Sequence, residues 1–135
     1  MSEYGIERQV DAGFETAVEA VKESLKAEGF GVLTTIDVRE KFKEKLGIDF
    51  EKYVILGACD PKSAHKAIQA EQNIGLMLPC NVIVYEHEGQ VTVSAIRPTV
   101  AMQMIDNRDL SDVAVDVERR LKVVLDSMQT AGVSS

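Results

Sequence analysis

Two cysteines in 135 residues are too few for a disulfide scaffold, so both thiols are expected to be free, as in a reducing compartment. Hydrophobic residues make up 45% of the chain, yet no apolar run approaches the ~18 residues a membrane span requires. The start, Met1-Ser2-Glu3-Tyr4, lacks the basic and apolar regions of a secretion signal, and a cytoplasmic location is expected. Clusters of one charge sign are missing too. Basic residues alternate with acids, as in Arg39-Glu40-Lys41 and Lys43-Glu44-Lys45, and the net charge is −7. A phosphate backbone is bound by clustered Lys and Arg, so no nucleic-acid partner is expected. No P-loop, dinucleotide glycine pattern or G-x-S-x-G elbow occurs.

What remains is enough for one domain over residues 1–135, without internal repeat or linker. A domain of this size buries roughly two-thirds of the surface its unfolded chain exposes. Residues 4–10 read as a first strand, with Asp11 as the cap of the helix that follows. Phe14, Ala17, Val18, Val21 and Leu25 draw one helical stripe, and Gly29 ends it. Residues 31–38 read as a strand and 39–46 as a short helix closed by Gly47. Residues 53–59 form a strand apolar on both faces, which implies cover on both sides. Asp60-Pro61 starts the next helix, through about residue 70: Asp suits the N-cap, and proline at N1 loses an amide that has no partner there. The chain turns through Asn73-Ile74-Gly75 into a strand over 77–86, then through Gly89 into a strand over 90–97. Pro98 opens a short turn or helix holding Met102, Met104 and Ile105. Leu110 to Met128 follow the three-four pattern of a long helix, with Asp109 as a plausible cap. Residues 129–135 are small and polar, and fraying is expected there.

The order favours α+β: a single antiparallel-rich sheet with helices packed on one face, rather than a doubly wound parallel sheet. Val54, Leu56, Val82 and Val84 suggest apolar residues on both faces of that sheet. An apolar face without a helix seeks a partner, so a homodimer is expected.

Chemistry concentrates between residues 54 and 86, which hold both cysteines and His65. Cys59 ends a strand just before a helix N-cap, and Cys80 begins the next strand. Antiparallel neighbours would bring the two thiols together, whereas a parallel crossover would separate them. Near the positive end of a helix dipole Cys59 would favour thiolate, and His65 could point back toward it. Cys59, His65 and Cys80 would then suit zinc or copper, although C-x5-H…C is no recognised zinc pattern. The plainer reading is two cysteines packed as small hydrophobes. The acidic tip Glu86-His87-Glu88 reads as an exposed turn, and Asp106 to Asp109 lacks the spaced carboxylates of a calcium loop. Met77, Met102 and Met104 read as core filler.

LGACDPKSAHKA followed by IGLMLPCNVIVYE resembles the domain of unknown function 302 family, over about residues 14–128. The residues carrying the resemblance are Gly57, Cys59, Pro61, His65, Ala67, Gly75, Leu78, Pro79, Cys80, Asn81 and Val82. Asp60 stands where many members have Asn, and Glu71-Gln72 where an Asp-Pro is usual. The resemblance implies a TATA-binding-protein-like α+β fold in the order β-α-β4-α plus short extra helices, and no established activity, cofactor or catalytic residue. Three functions stay open. The first is a domain binding or sensing a small ligand or metal at Cys59, His65, Cys80 and Asn81. The second is a thiol enzyme using Cys59, and the third a purely structural dimeric module.

Overall fold

The computed structural model describes residues 3–128, and the tail expected to fray lies outside them. In chain order the elements are β1 (Gly5–Val10), α1 (Phe14–Ala27), β2 (Gly31–Asp37), α2 (Val38–Leu46), β3 (Tyr53–Cys59), α3 (Pro61–Ala70), β4 (Cys80–His87), β5 (Gln90–Ile96), α4 (Pro98–Ala101) and α5 (Arg108–Asp126). The sheet order is β1-β5-β4-β3-β2, and every neighbouring pair is antiparallel. The long helices α1 and α5 touch each other and the central strands. The α+β class and single antiparallel sheet expected from the sequence are what forms.

The stripe of α1 is buried at all five expected positions. Its N-cap is Gly13, without a side-chain bond, so Asp11 does not cap it. Asp11 lies two residues too early, and a capping carboxylate must sit at the N-cap itself to reach the first free amides. A two-residue slip in the opposite direction occurs in α5, where Asn107 rather than Asp109 is the cap and accepts from the Leu110 amide at 3.2 Å. Asp109 sits inside the first turn, where its charge still complements the helix dipole. The β4–β5 hairpin closes through Glu88 and Gly89, both at positive φ, the geometry that matches the twist of a two-residue turn.

The two faces of the sheet differ from expectation. Val54 pairs with Val84 and Leu56 with Val82, and residues two apart on a strand share a face, so all four point the same way. That is the helix-packed face, where each is buried with Val91, Val93, Ala95, Leu121 and Leu125 in one core. Tyr53 and Ile55 point the other way, with Tyr85 and Ile83 as their partners, and are half-buried rather than covered. Tyr53 and Tyr85 shield each other by stacking, with ring centroids 5.5 Å apart and planes 12° from parallel.

A second, smaller core joins Ala67, Ile74, Met102, Leu110 and Ala114 beneath α3, α4 and α5. Burying Ile74 winds residues Gln72–Met77 into a 3-10 helix, where the sequence suggested a plain turn. β4 accordingly starts at Cys80, after Pro79, whose ring nitrogen cannot donate to a ladder. Met102 and Met77 pack in this cluster, but Met104 is exposed and fills no core.

Gly57 marks a close approach on the open face of the sheet. A Cβ there would fall inside contact distance of Thr34 Oγ1 and Pro79 Cγ. Gly57→Ala is therefore expected to destabilise the protein by about 1–3 kcal/mol, the usual penalty of overpacking. Urea unfolding measures it. An unchanged midpoint would mean that Thr34 and Pro79 move aside freely.

Candidate functional site

β3 ends at Cys59, and Asp60 caps α3 by accepting from the Lys62 amide at 3.2 Å. In the β3–β4 ladder Ala58 stands opposite Cys80, so Cys59 is one residue from the direct partner of Cys80. The antiparallel alternative is the one that occurs. Cys59 and Cys80 both line a single pocket, walled also by Phe30, Leu78, Pro79 and residues of α3 and α5. About 30 Å³ of it is open to the centre of a water molecule. That is enough for one or two waters, each needing roughly 10–15 Å³ on this measure, and far below the ~300 Å³ typical of organic ligand pockets. No buried side-chain N or O among the described residues lacks a hydrogen-bond partner, so the pocket offers no orphaned polar group to a ligand.

Burial pushes the Cys80 thiol up to about 11, with Cys59 adding to the rise. Cys59 is also raised, first by burial and then by the carboxylate of Asp60. Both cysteines are free and half-buried. Desolvation thus outweighs the helix N-terminus, and both sulfurs are neutral thiols near pH 7.

Asp60 is bound from several sides. Arg120 Nη2 donates to its Oδ2 at 2.6 Å and Ser63 Oγ donates at 2.8 Å. Burial alone would raise the Asp60 carboxyl, but the bonds from Ser63 and Arg120 and the guanidinium charge hold it below its ordinary 3.8. Arg120 also donates to the Glu28 carbonyl at 3.0 Å and lies 4.9 Å from the centre of the Phe30 ring. Sequence reasoning missed Arg120. Its only local signal is the i,i+4 spacing to Asp116, which it meets at 3.2 Å.

The four residues singled out from the sequence divide. Cys59 and Cys80 share the pocket, whereas His65 and Asn81 do not line it and are exposed. On α3 it is Ser63, Ala64 and Ala67 that face the pocket, which leaves His65 on a different side of the helix. Asn81 pairs with Gly57, on the face opposite the one where Ala58 meets Cys80. Among the described residues no three His, Cys, Asp or Glu side chains stand together in a way that could hold a metal ion. His87, at the hairpin tip, meets Glu51 at 2.5 Å, and that bond raises its pKa.

Two outcomes follow from this geometry. Cys59 should alkylate faster than Cys80, about several-fold or more, because Cys80 has the higher pKa and deeper burial. Asp60→Asn should widen the gap, and peptide mapping after timed alkylation reads both; equal rates would contradict it. Arg120→Met should destabilise by about 3 kcal/mol at neutral pH, since it strips the largely buried Asp60 carboxylate of its counter-charge and leaves it only the Ser63 and Lys62 bonds. The folded-state pKa of Asp60 is depressed, so its contribution is full above 3.8 and disappears as pH falls through the folded value. The difference between Arg120→Met and the parent in urea unfolding should therefore shrink in acid.

Comparison with known proteins fits this picture. No curated protein matches the chain. The crystal structure of an uncharacterized conserved DUF302 protein from Bacillus stearothermophilus superposes with a TM-score of 0.88 at 35% sequence identity, covering 95% of this chain and 100% of that one. The family model described as domain of unknown function DUF302 matches residues 6–128, nearly the whole described structure. This chain belongs to the DUF302 family.

Proposed function

We propose that this chain is a non-catalytic binding or sensing domain whose site is the Cys59–Cys80 pocket. The observation that carries the reading is that the two cysteines line one small apolar pocket together. Its volume admits an ion or one or two water-sized groups, and its only unengaged ligating groups are sulfur. A soft monovalent cation of the copper(I) type suits two thiolates without further donors. Because both thiols are raised, binding displaces protons and tightens as pH rises. His65 and Asn81 enter this reading as chain neighbours of pocket residues rather than as ligands.

An enzyme using Cys59 as nucleophile is less well supported, because its thiol pKa is raised, the adjacent Asp60 carboxylate is engaged by Arg120 and Ser63, and His65, the nearest histidine in sequence, does not line the pocket. The structural-module reading keeps one specific observation in its favour, the smallness of the pocket. For either reading we take the working form to be a cytoplasmic homodimer. The free cysteines support the compartment, and the uncovered apolar residues support the assembly. The sheet order is compatible with a TATA-binding-protein-like fold, a name that carries no activity.

Silver(I), a redox-inert stand-in for copper(I), tests the site. Calorimetric titration should show one equivalent bound with proton release, and Cys59→Ser and Cys80→Ser should each weaken binding at least ~tenfold. Two independent equivalents, or an affinity indifferent to either substitution, would return both cysteines to the core.

A further inference from the structure

The segment from Gly31 to Lys52 is built unlike the rest of the chain. α2 has nine residues and none is buried. Isolated helices shorter than ~12–15 residues are marginal in water, and α2, with only Val38 and Phe42 half-buried, has little of the packing that normally holds one. Phe42 and Phe50 make a T-shaped pair 4.9 Å apart, but Phe50 itself remains exposed. Five large apolar side chains are exposed within 18 residues of chain: Leu33 (64%), Ile36, Leu46 (65%), Ile48 and Phe50.

β2, which carries two of them, lies at the edge of the sheet, and no described strand pairs with its outer side. Edge strands are commonly guarded by charge or proline. The opposite edge, β1, has Glu7 and Arg8 in mid-strand, whereas β2 reads GVLTTID and carries no charge before Asp37. A bulge between Val32 and Thr34 interrupts the ladder and leaves residues 34–37 regular.

Charge identifies the occupant. Between Gly31 and Lys52 there are five basic and five acidic side chains, so the whole net charge of −7 lies elsewhere on the chain. A net charge of −7 on each copy opposes self-association, and this locally neutral segment is a surface through which two copies meet without adding to that repulsion. We propose that β2 and α2 form the interface between two copies of this chain, β2 pairing antiparallel with its counterpart across a two-fold axis. This rests on the homodimeric reading above and assigns it a surface. An antiparallel pair sets the end of one β2, where α2 begins, beside the start of the partner strand, where Leu33 is exposed. Each copy's α2 then covers the other's Leu33, and the interface is isologous.

The test is light scattering with sedimentation equilibrium on the full chain, alongside Ile36→Lys and Leu46→Glu. Both positions are exposed, so circular dichroism should show an unchanged fold. The parent should weigh twice 14.8 kDa. Each variant should raise the dimer dissociation constant at least ~tenfold, the size expected when a charge is forced into an apolar contact. A parent that is monomeric at micromolar concentration overturns the homodimer itself, and with it this surface. A parent dimer that survives both substitutions overturns the surface alone and leaves the homodimer standing.

Discussion

Arg120 is the tie on which the packing around the Cys59–Cys80 pocket depends. It stands on α5, beside the buried stripe of Val117, Leu121 and Val124, with only 16% of its side chain exposed. From there its guanidinium reaches the cap of α3 through Asp60, the C-cap of α1 through the Glu28 carbonyl, and the ring of Phe30 ahead of β2. A planar fork with five donors can serve these partners at once, and a lysine could not. Phe30, Asp60 and Ser63, three pocket-lining residues, all touch it. The pocket holding the thiols is therefore shaped by a residue outside it. Such a pair is poor evidence for net stability, because desolvating two charges offsets most of their attraction. Its effect is on geometry: α1, α3 and α5 are held in one relation to the end of β3.

Local patterns were legible and long-range ones were not. The stripe of α1, the Asp60-Pro61 start of α3 and the glycine of the β4–β5 hairpin depend on residues a few positions apart, which periodicity and capping rules address directly. The Arg120–Asp60 pair spans 60 residues, and no local signal marks it. Capping residues slipped where two acceptable candidates lay within a turn, as at Asp109 and Asn107. Cover on the second face of β3, and the spread of Val54, Leu56, Val82 and Val84 over both faces, were misjudged for a related reason. A strand such as YVILGAC has no polar alternation to show which side is packed. Register decides it, and register belongs to the pair of strands rather than to either one.

The candidate site was half legible. Two cysteines at the end of β3 and the start of β4 come to one pocket because the two strands are antiparallel neighbours, a conditional the sequence could state but not resolve. His65 failed to join them for an arithmetical reason. Ser63, Ala64 and Ala67 recur at helical spacing on the pocket side of α3, and the ~100° step per residue carries His65 off that side. Asn81 pairs with Gly57, one step further along the ladder, and lies outside the pocket.

Asp60 connects these threads and shows which of two competing effects prevails at Cys59. A helix N-terminus stabilises a thiolate by ~0.3–1 kcal/mol, and a carboxylate one residue away opposes it. Neither decides the outcome. The first cause of the raised Cys59 pKa is burial, with the Asp60 charge second, and Arg120 partly neutralises that charge at 2.6 Å. Cys80 confirms the order of effects: it is the more deeply buried of the two sulfurs, has no carboxylate beside it, and is pushed higher. The surroundings that keep both sulfurs protonated are apolar, and they are built by the same packing of α3 and α5 that Arg120 maintains. On the binding reading proposed above, a partner would have to bind sulfur strongly enough to replace those protons.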